Sequence, residues 1–193
     1  MCIPISSLSP QETDRFENKL SDFRYSLYQD IANVAPEDPA MIEAVADLVT
    51  NVDNVSRGYL MIKAAQKMGA TKFMHISFPR HLSNELLSRR RNIMKVAAAD
   101  LGVEFIEMSV PDPLSDVGVP GAQQYVLEQV PTWLKKYGKE TAFFATNDAK
   151  TEPLLKRVAT LNGFFVEASL PSPTMGYPGA LGIKCTDTEK GNW

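Results

Sequence analysis

The sequence has few of the residues on which metal sites, disulfides and hydrolytic triads depend. Its 193 residues include two cysteines and two histidines. Cys2 and Cys185 lie at opposite ends of the chain, which favours two unrelated thiols over a disulfide or a metal cluster. No apolar run approaches the ~20 residues that span a bilayer. The amino terminus lacks the basic start and apolar core of a signal peptide, so the chain as written is expected in the cytoplasm.

The charge balance and the missing motifs argue against further classes of protein, namely nucleic-acid-binding proteins and common enzymes. The net charge is -3, from 20 Lys+Arg and 23 Asp+Glu, so no basic field gathers nucleic acid. The Walker loop, the zinc pattern His-Glu-x-x-His and the Gly-x-Ser-x-Gly elbow are all absent. With two histidines, a hydrolytic triad is difficult to build. The sequence therefore argues against an enzyme, and we expect neither a cofactor nor a metal.

The pattern of apolar residues predicts alternating strands and helices after an amino-terminal helix. Residues 9–32 are predicted to form that helix, with one apolar stripe made of Phe16, Leu20, Phe23 and Leu27. The predicted strands are 47–51, 72–78, 103–108, 141–146 and 163–168. The predicted helices are 54–68, 83–100, 121–137 and 150–161, and glycines 69, 102 and 138 end the first three.

Short apolar strands that alternate with helices indicate a parallel sheet covered on both faces, so the predicted fold is a doubly wound α/β lobe. Ligands of such sheets collect beyond the carboxyl ends of the strands. The side chains expected there carry hydroxyl, amide, carboxylate, guanidinium and imidazole groups, which suit a small polar ligand and form no obvious catalytic set. The candidate site residues are Asp53, Asn54, Ser77, Arg80, His81, Asn147, Asp148 and Thr174.

Several candidates have a simpler structural interpretation. His75, inside a strand, is favoured as a core histidine, whereas a ligand role and solvent exposure are equally weighted for Arg80 and His81. The run 89–91 of three arginines is favoured as a solvated helix surface. Asn147 and Asp148 can cap the next helix, contact a ligand, or both. The glycine-rich segment 175–182 is favoured as a tight, shaped loop over a nucleotide-binding loop, because no helix is expected after it.

Four segments resemble an uncharacterised bacterial family with the type I periplasmic-binding-protein fold. They are NVDNV (51–55), HISFPRH (75–81), TNDAKTEP (146–153) and LPSPTMGYPG (170–179). The resemblance covers residues 34–193 and implies one lobe of a two-lobed protein, with residues 1–33 as a helical extension. It further implies that Asn147 helps to hold the ligand, and that an arginine of this lobe does so too, with Arg80, Arg89 and Arg90 as candidates.

The resemblance also shapes the functional expectations. From the resemblance, the chain as written is expected to lack most of a first lobe and to stop before the last elements of the fold. Full-length relatives are expected outside the cytoplasmic membrane, with a transporter or a sensor as partner. The favoured function is non-catalytic binding of a small polar solute such as a sugar, a nucleoside or an amino acid derivative. The second hypothesis is a regulatory or protein-interaction module that forms a homodimer through the helix 9–32. A third is a small α/β enzyme that uses His81 and Asp148.

Overall fold

The computed structural model describes residues 53–167, 176–184 and 186–188, which belong to one compact unit, residues 52–193. The predicted helix 9–32 with its apolar stripe, the predicted strand 47–51 and the candidate Thr174 lie outside the described residues. These predictions therefore stay predictions.

The described residues form strands and helices in alternation, as the sequence predicts. The strands are β1 (Lys72–Ser77), β2 (Glu104–Ser109), β3 (Thr141–Ala145) and β4 (Phe164–Phe165). The helices are α1 (Asn54–Lys67), α2 (Pro79–Leu82), α3 (Glu85–Leu101), α4 (Gly118–Tyr137), α5 (Asp148–Thr160) and α6 (Tyr177–Leu181). In this part of the chain, no helix is long and apolar enough to cross a membrane.

The strands form one four-stranded sheet in the order β2-β1-β3-β4. Every pairing is parallel, and Ile76 of β1 lies beside Met108 of β2 and Ala145 of β3. All five residues of β3 are buried, which explains why its sequence is apolar from Ala142 to Ala145 instead of alternating. The predicted parallel relation between residues 72–78 and 141–146 is confirmed.

Helices cover both faces of the sheet. On one face, α1 and α3 pack against Phe73, Ala142 and Phe144. On the other face, α4 and α5 pack against strand residues that include Met74, Ile76 and Phe143. The fold is therefore a doubly wound α/β lobe, as predicted, and the carboxyl ends of β1, β2 and β3 meet at one edge of it.

Short-range signals set where the helices begin and end. Asn84 caps α3 by accepting a hydrogen bond from the Leu87 amide, and Gly102 ends the helix in the left-handed region at φ 70. Gly58 allows α1 and α3 to approach closely, because a Cβ at this position would lie 2.9 Å from the carbonyl oxygen of Arg90.

Two segments differ from the prediction in kind, and the last strand is shorter, because β4 covers Phe164–Phe165 where a strand over 163–168 is predicted. Residues 79–82 were expected in a loop but form α2, which begins with Pro79, a residue that fits the first turn of a helix. The glycine-rich segment was expected to be a loop throughout, but it contains α6 between Gly176 (φ 82) and Gly182 (φ 71). These two glycines have positive φ and turn the backbone before and after the short helix, so they set where α6 begins and ends.

Candidate functional site

Three polar side chains meet where the neighbouring strands β1 and β3 end. The Ser77 hydroxyl lies 2.8 Å from Oγ1 of Thr146, and Nδ1 of His81 lies 3.1 Å from the same oxygen. The Thr146 amide also donates to the carbonyl of Ile76 at 3.1 Å, so the residue is held by the continued strand ladder. We call these three side chains the hydroxyl–imidazole network.

His81 is positioned by the short helix α2. The side chain is buried, and its ring stacks on Phe78 with the ring centroids 4.4 Å apart. The hypothesis that His81 is exposed to solvent is therefore wrong. Helix α2 turns the residue back toward the strand ends instead of leaving it in an open loop.

Two cationic side chains also lie against the Phe78 ring. Nζ of Lys150 lies 4.1 Å from the ring centroid, and Cζ of Arg80 lies 5.2 Å from it. The Lys150 side chain is 0% exposed, and its ammonium has no hydrogen-bond partner among the described residues. Burial lowers the pKa of Lys150 to about 8, while the carboxylate of Asp112 raises it and the Arg80 charge lowers it further.

Arg80 joins the ends of β1 and β2 through Asp112. Its Nε donates to Oδ2 of Asp112 at 2.7 Å, and its Nη2 donates to Oδ1 at 3.0 Å. The Leu114 amide donates to Oδ1 as well, at 2.9 Å. The hydrogen bonds from Arg80 hold the pKa of Asp112 at about 2, so this carboxylate is charged at neutral pH and both of its oxygens are occupied.

Asn147 directly follows the buried end of β3 and caps α5. Its Oδ1 accepts a hydrogen bond from the Ala149 amide at 3.1 Å, and its carbonyl accepts from Oγ1 of Thr151 at 3.3 Å. The capping interpretation is confirmed. The side-chain nitrogen of Asn147 takes no part in the cap. The next residue, Asp148, is exposed, and partial desolvation raises its pKa.

Arg90 and Asn54 form a second group on the face covered by α1 and α3. Nη1 of Arg90 donates to Oδ1 of Asn54 at 3.1 Å, and its Cζ lies 5.1 Å from the Phe144 ring centroid. Arg90 is 1% exposed, and its Nε and Nη2 have no partner among the described residues. Burial, followed by the charge of Arg57, lowers the pKa of Arg90 to about 10.

The solvated surface predicted for residues 89–91 is therefore wrong for Arg90. The close packing at Gly58 draws α3 against α1 and buries this arginine. The interpretation holds for Arg89, which is exposed and lies 3.8 Å from Glu85 on the same helix.

His75 is the core histidine that the sequence favours. It is 1% exposed and lies between the rings of Phe105 and Phe144, at centroid distances of 5.8 and 6.0 Å. Burial, followed by the Arg90 charge, lowers its pKa to about 3. Its Nε2 has no hydrogen-bond partner in the part of the chain that the structure describes. His75 is therefore neutral at physiological pH.

The structure brings most of the candidate residues to one edge of the sheet. Ser77, Arg80, His81, Asn147 and Asp148 all lie at the ends of β1 and β3. Asp53 is exposed and caps α1 by accepting from the Ser56 amide at 3.0 Å, and these hydrogen bonds lower its pKa. Asn54 lies at the start of the same helix and pairs with Arg90.

The candidate set omitted four residues of this edge: Phe78, Asp112, Thr146 and Lys150. For Lys150 the sequence holds a usable signal, because a residue three positions after a helix cap lies one turn away on the same face. Across the described residues, no group of three His, Cys, Asp or Glu side chains could hold a metal ion.

Comparisons with known proteins find chains that are similar to this one. The family described as "Protein of unknown function (DUF3798)" matches residues 18–193. An uncharacterized protein of Treponema pallidum (strain Nichols) is 36% identical over 155 residues, which are 80% of this chain and 70% of that protein. The family match begins earlier than residue 34, where the sequence resemblance begins.

Two solved structures are similar to the chain. A putative transcriptional regulator from Clostridium difficile 630 has a TM-score of 0.71 and 24% identity, and the match covers 80% of this chain and 43% of that regulator. A periplasmic binding ribose operon repressor protein from Lactobacillus acidophilus has a TM-score of 0.44 and 18% identity, and the match covers 62% of this chain and 40% of that protein. The similarity to the regulator shows a shared fold, and the chain spans less than half of the regulator's length.

Proposed function

This chain belongs to the DUF3798 family, and we propose that its α/β lobe forms one wall of a binding site for a small polar ligand, without catalysing a reaction on it. The ligand would lie beyond the carboxyl ends of β1, β2 and β3. In open parallel sheets this edge is where ligands bind, because loops and helix starts converge there around a rigid scaffold.

The observation that carries the proposal is the hydroxyl–imidazole network beside Asn147. Ser77, Thr146 and His81 place two hydroxyls and one imidazole within hydrogen-bond distance of one another at neighbouring strand ends. Asn147 follows Thr146 directly, and its cap on α5 uses the side-chain oxygen, which leaves the amide N–H groups to donate to a ligand. Hydroxyl and amide groups held by buried strands suit a polar solute better than an apolar one.

Binding without catalysis is the better match to these contacts. The imidazole of His81 is paired with Thr146, a weak partner for general base chemistry, and the contacts of the described residues include no hydrogen bond between His81 and Asp148. An enzyme built on these two residues would need them to act together, so the enzyme hypothesis has less support.

A ligand screen with matched variants tests the proposal. Sugars, nucleosides and amino acids are added to the full chain at neutral pH, and the melting temperature is measured. The affinity of each hit is then determined for the wild type, for Asn147→Ser and for Asn92→Ser. Serine retains an oxygen that caps α5 but lacks the amide, so stability should persist while binding weakens about tenfold, or ~1.4 kcal/mol.

Asn92→Ser is the control because Asn92 is an exposed residue on α3 that interacts with its neighbour Arg91. Its affinity should equal that of the wild type. Equal affinity in Asn147→Ser would place the ligand elsewhere, and conversion of the ligand to a product would contradict the proposal of binding without catalysis.

A further inference from the structure

We propose that the ligand of this lobe carries a carboxylate and that Lys150 pairs with it. The inference rests on the ligand-binding function proposed above and narrows the ligand to a chemical class. Sequence reasoning gave the polar character of the ligand but no preference for charge, and Lys150 was not among the candidate residues.

The first argument is the unpaired state of a fully buried ammonium. Lys150 is 0% exposed, and its Nζ has no hydrogen-bond partner among the described residues. Removing an ammonium from water without a counter-charge is costly, and proteins rarely retain such a group without a partner. The Phe78 ring, 4.1 Å away, compensates for part of this cost through its quadrupole, but it supplies no negative charge.

The second argument is the charge balance around the Phe78 ring. Two side chains that are cationic at neutral pH, Arg80 and Lys150, lie against this ring. Among the described residues, the Asp112 carboxylate acts on Lys150, and both of its oxygens already accept hydrogen bonds from Arg80, at 2.7 and 3.0 Å. The Lys150 ammonium therefore has no carboxylate within hydrogen-bond distance among the described residues. A ligand with one negative group would balance it.

The third argument distinguishes a carboxylate from a phosphate. Phosphate sites combine a double charge with several donors, such as a free guanidinium fork or the free amides at a helix start. Here the guanidinium of Arg80 is engaged by Asp112. In the first turn of α5, the Ala149 amide donates to Asn147 Oδ1 and the Lys150 amide donates to the Asn147 carbonyl. The ammonium of Lys150 supplies one positive charge, which matches the single negative charge of a carboxylate.

The ligand need not enter the protein interior to reach this group. A lysine ammonium sits on a flexible four-carbon stem, and Lys150 lies on the first turn of α5 at the carboxyl edge of the sheet. A ligand carboxylate at the strand ends would draw the ammonium from the Phe78 ring toward the hydroxyl–imidazole network. Without a ligand, the contact with the Phe78 ring thus stabilises the Lys150 ammonium.

The test compares small carboxylates with their neutral amides. Acetate and acetamide, lactate and lactamide, and alanine and alaninamide are added to the full chain at neutral pH, with ionic strength matched by sodium chloride. Melting temperature and apparent dissociation constant are measured for the wild type, for Lys150→Met and for Lys156→Met. Methionine retains the unbranched stem without the charge, and Lys156 is an exposed lysine on the same helix.

The expected result is that at least one carboxylate binds about tenfold more tightly than its amide in the wild type and in Lys156→Met. Lys150→Met should bind both members of that pair equally. The inference is overturned if no carboxylate is preferred over its amide, or if Lys150→Met retains the preference. In that case, binding of neutral sugars or nucleosides that depends on Asn147 would still support the proposed function, so the two failures are distinguishable.

Discussion

The ammonium nitrogen of Lys150 lies 4.1 Å from the centroid of the Phe78 ring, so a buried cation at the start of one helix rests on an aromatic ring at the end of a neighbouring strand. The arrangement depends on the parallel pairing of β1 and β3, because parallel strands end at the same edge of the sheet. Arg80, which also lies against this ring, joins β1 to the loop after β2 through Asp112. Three strand ends are thereby connected around one ring.

Lys150→Met should stabilise the protein without a ligand. At neutral pH the mutation removes a buried, unpaired charge, and we expect the free energy of unfolding to rise by about 3 kcal/mol, from the difference between the folded and unfolded pKa values. Urea denaturation of the wild type, Lys150→Met and Lys156→Met measures this. A loss of stability in Lys150→Met larger than in the control would contradict the unpaired state of the ammonium.

The difference in stability between Lys150→Met and the wild type should also depend on pH, in a direction that the pKa of Lys150 sets. The pKa of Lys150 is about 8 in the folded protein and about 10.4 in the unfolded chain, so between these values the unfolded state binds more protons. Wild-type stability should therefore contain a contribution that rises as the pH increases through this window. The difference in stability between Lys150→Met and the wild type should shrink over the same window.

Substitutions in the neighbouring ion pair should move the pKa of Lys150 in opposite directions. Asp112→Asn removes the carboxylate that raises this pKa, so the value should fall below about 8. Arg80→Gln removes a repulsive charge and releases Asp112, so the value should rise. Lysine side chains labelled with carbon-13 report this in an NMR titration, with the exposed Lys156 as an internal reference. Shifts of the same sign in both variants, or no shift in either, would contradict these opposing effects on the pKa of Lys150.

Thr146→Val should destabilise the lobe. Valine has the shape of threonine but removes the oxygen shared by Ser77 and His81, which are both buried. Leaving buried polar groups without this partner should lower the free energy of unfolding by about 1–3 kcal/mol. Thr160→Val is the control in urea denaturation, because the Thr160 hydroxyl is exposed and bonds within its own helix. Equal effects of the two substitutions would argue against a structural role of the network.

His75→Phe should weaken the loss of stability in acid. The pKa of His75 is about 3 in the folded protein and about 6.5 in the unfolded chain, so its contribution is present above pH 6.5 and is lost as the pH falls through this window. Phenylalanine keeps an aromatic ring at this position and does not titrate. Stability measured by urea denaturation should therefore decline less in His75→Phe than in the wild type below about pH 6. Parallel pH curves would show that His75 is not held neutral.

Much of the fold follows from the sequence, for identifiable reasons. Glycines 69, 102 and 138 follow helices α1, α3 and α4 with positive φ, and continuous apolar runs mark strands buried on both faces. The resemblance to the uncharacterised family is confirmed by the match over residues 18–193. The short helices α2 and α6 were missed because each is bounded by residues that also favour loops, such as Pro79 and Gly176.

The candidate site was predictable in position but only partly in composition. Ser77, Arg80 and His81 follow β1, and their location at the sheet edge follows from the parallel topology alone. The burial of Arg90 depends on the close approach of α1 and α3 at Gly58, which is a tertiary contact without a signature in either helix sequence. The unpaired state of Lys150 depends on Arg80 having engaged Asp112, which requires three separate segments to meet.

The hypotheses about the helix 9–32, a homodimer, a transporter or sensor partner and the cellular location stay predictions. Deletion of residues 1–33 followed by light scattering tests the homodimer. A dimer that becomes a monomer on deletion would support self-association through this helix, and an unchanged mass would contradict it.

The most direct measurement of the central claim is a crystal structure of the full chain soaked with the carboxylate that raises its melting temperature most. We expect density for this molecule beyond the ends of β1 and β3, with its carboxylate within hydrogen-bond distance of Lys150 Nζ and a polar group on the amide of Asn147. Density at any other surface, with the Lys150 ammonium still resting on Phe78, would contradict the account.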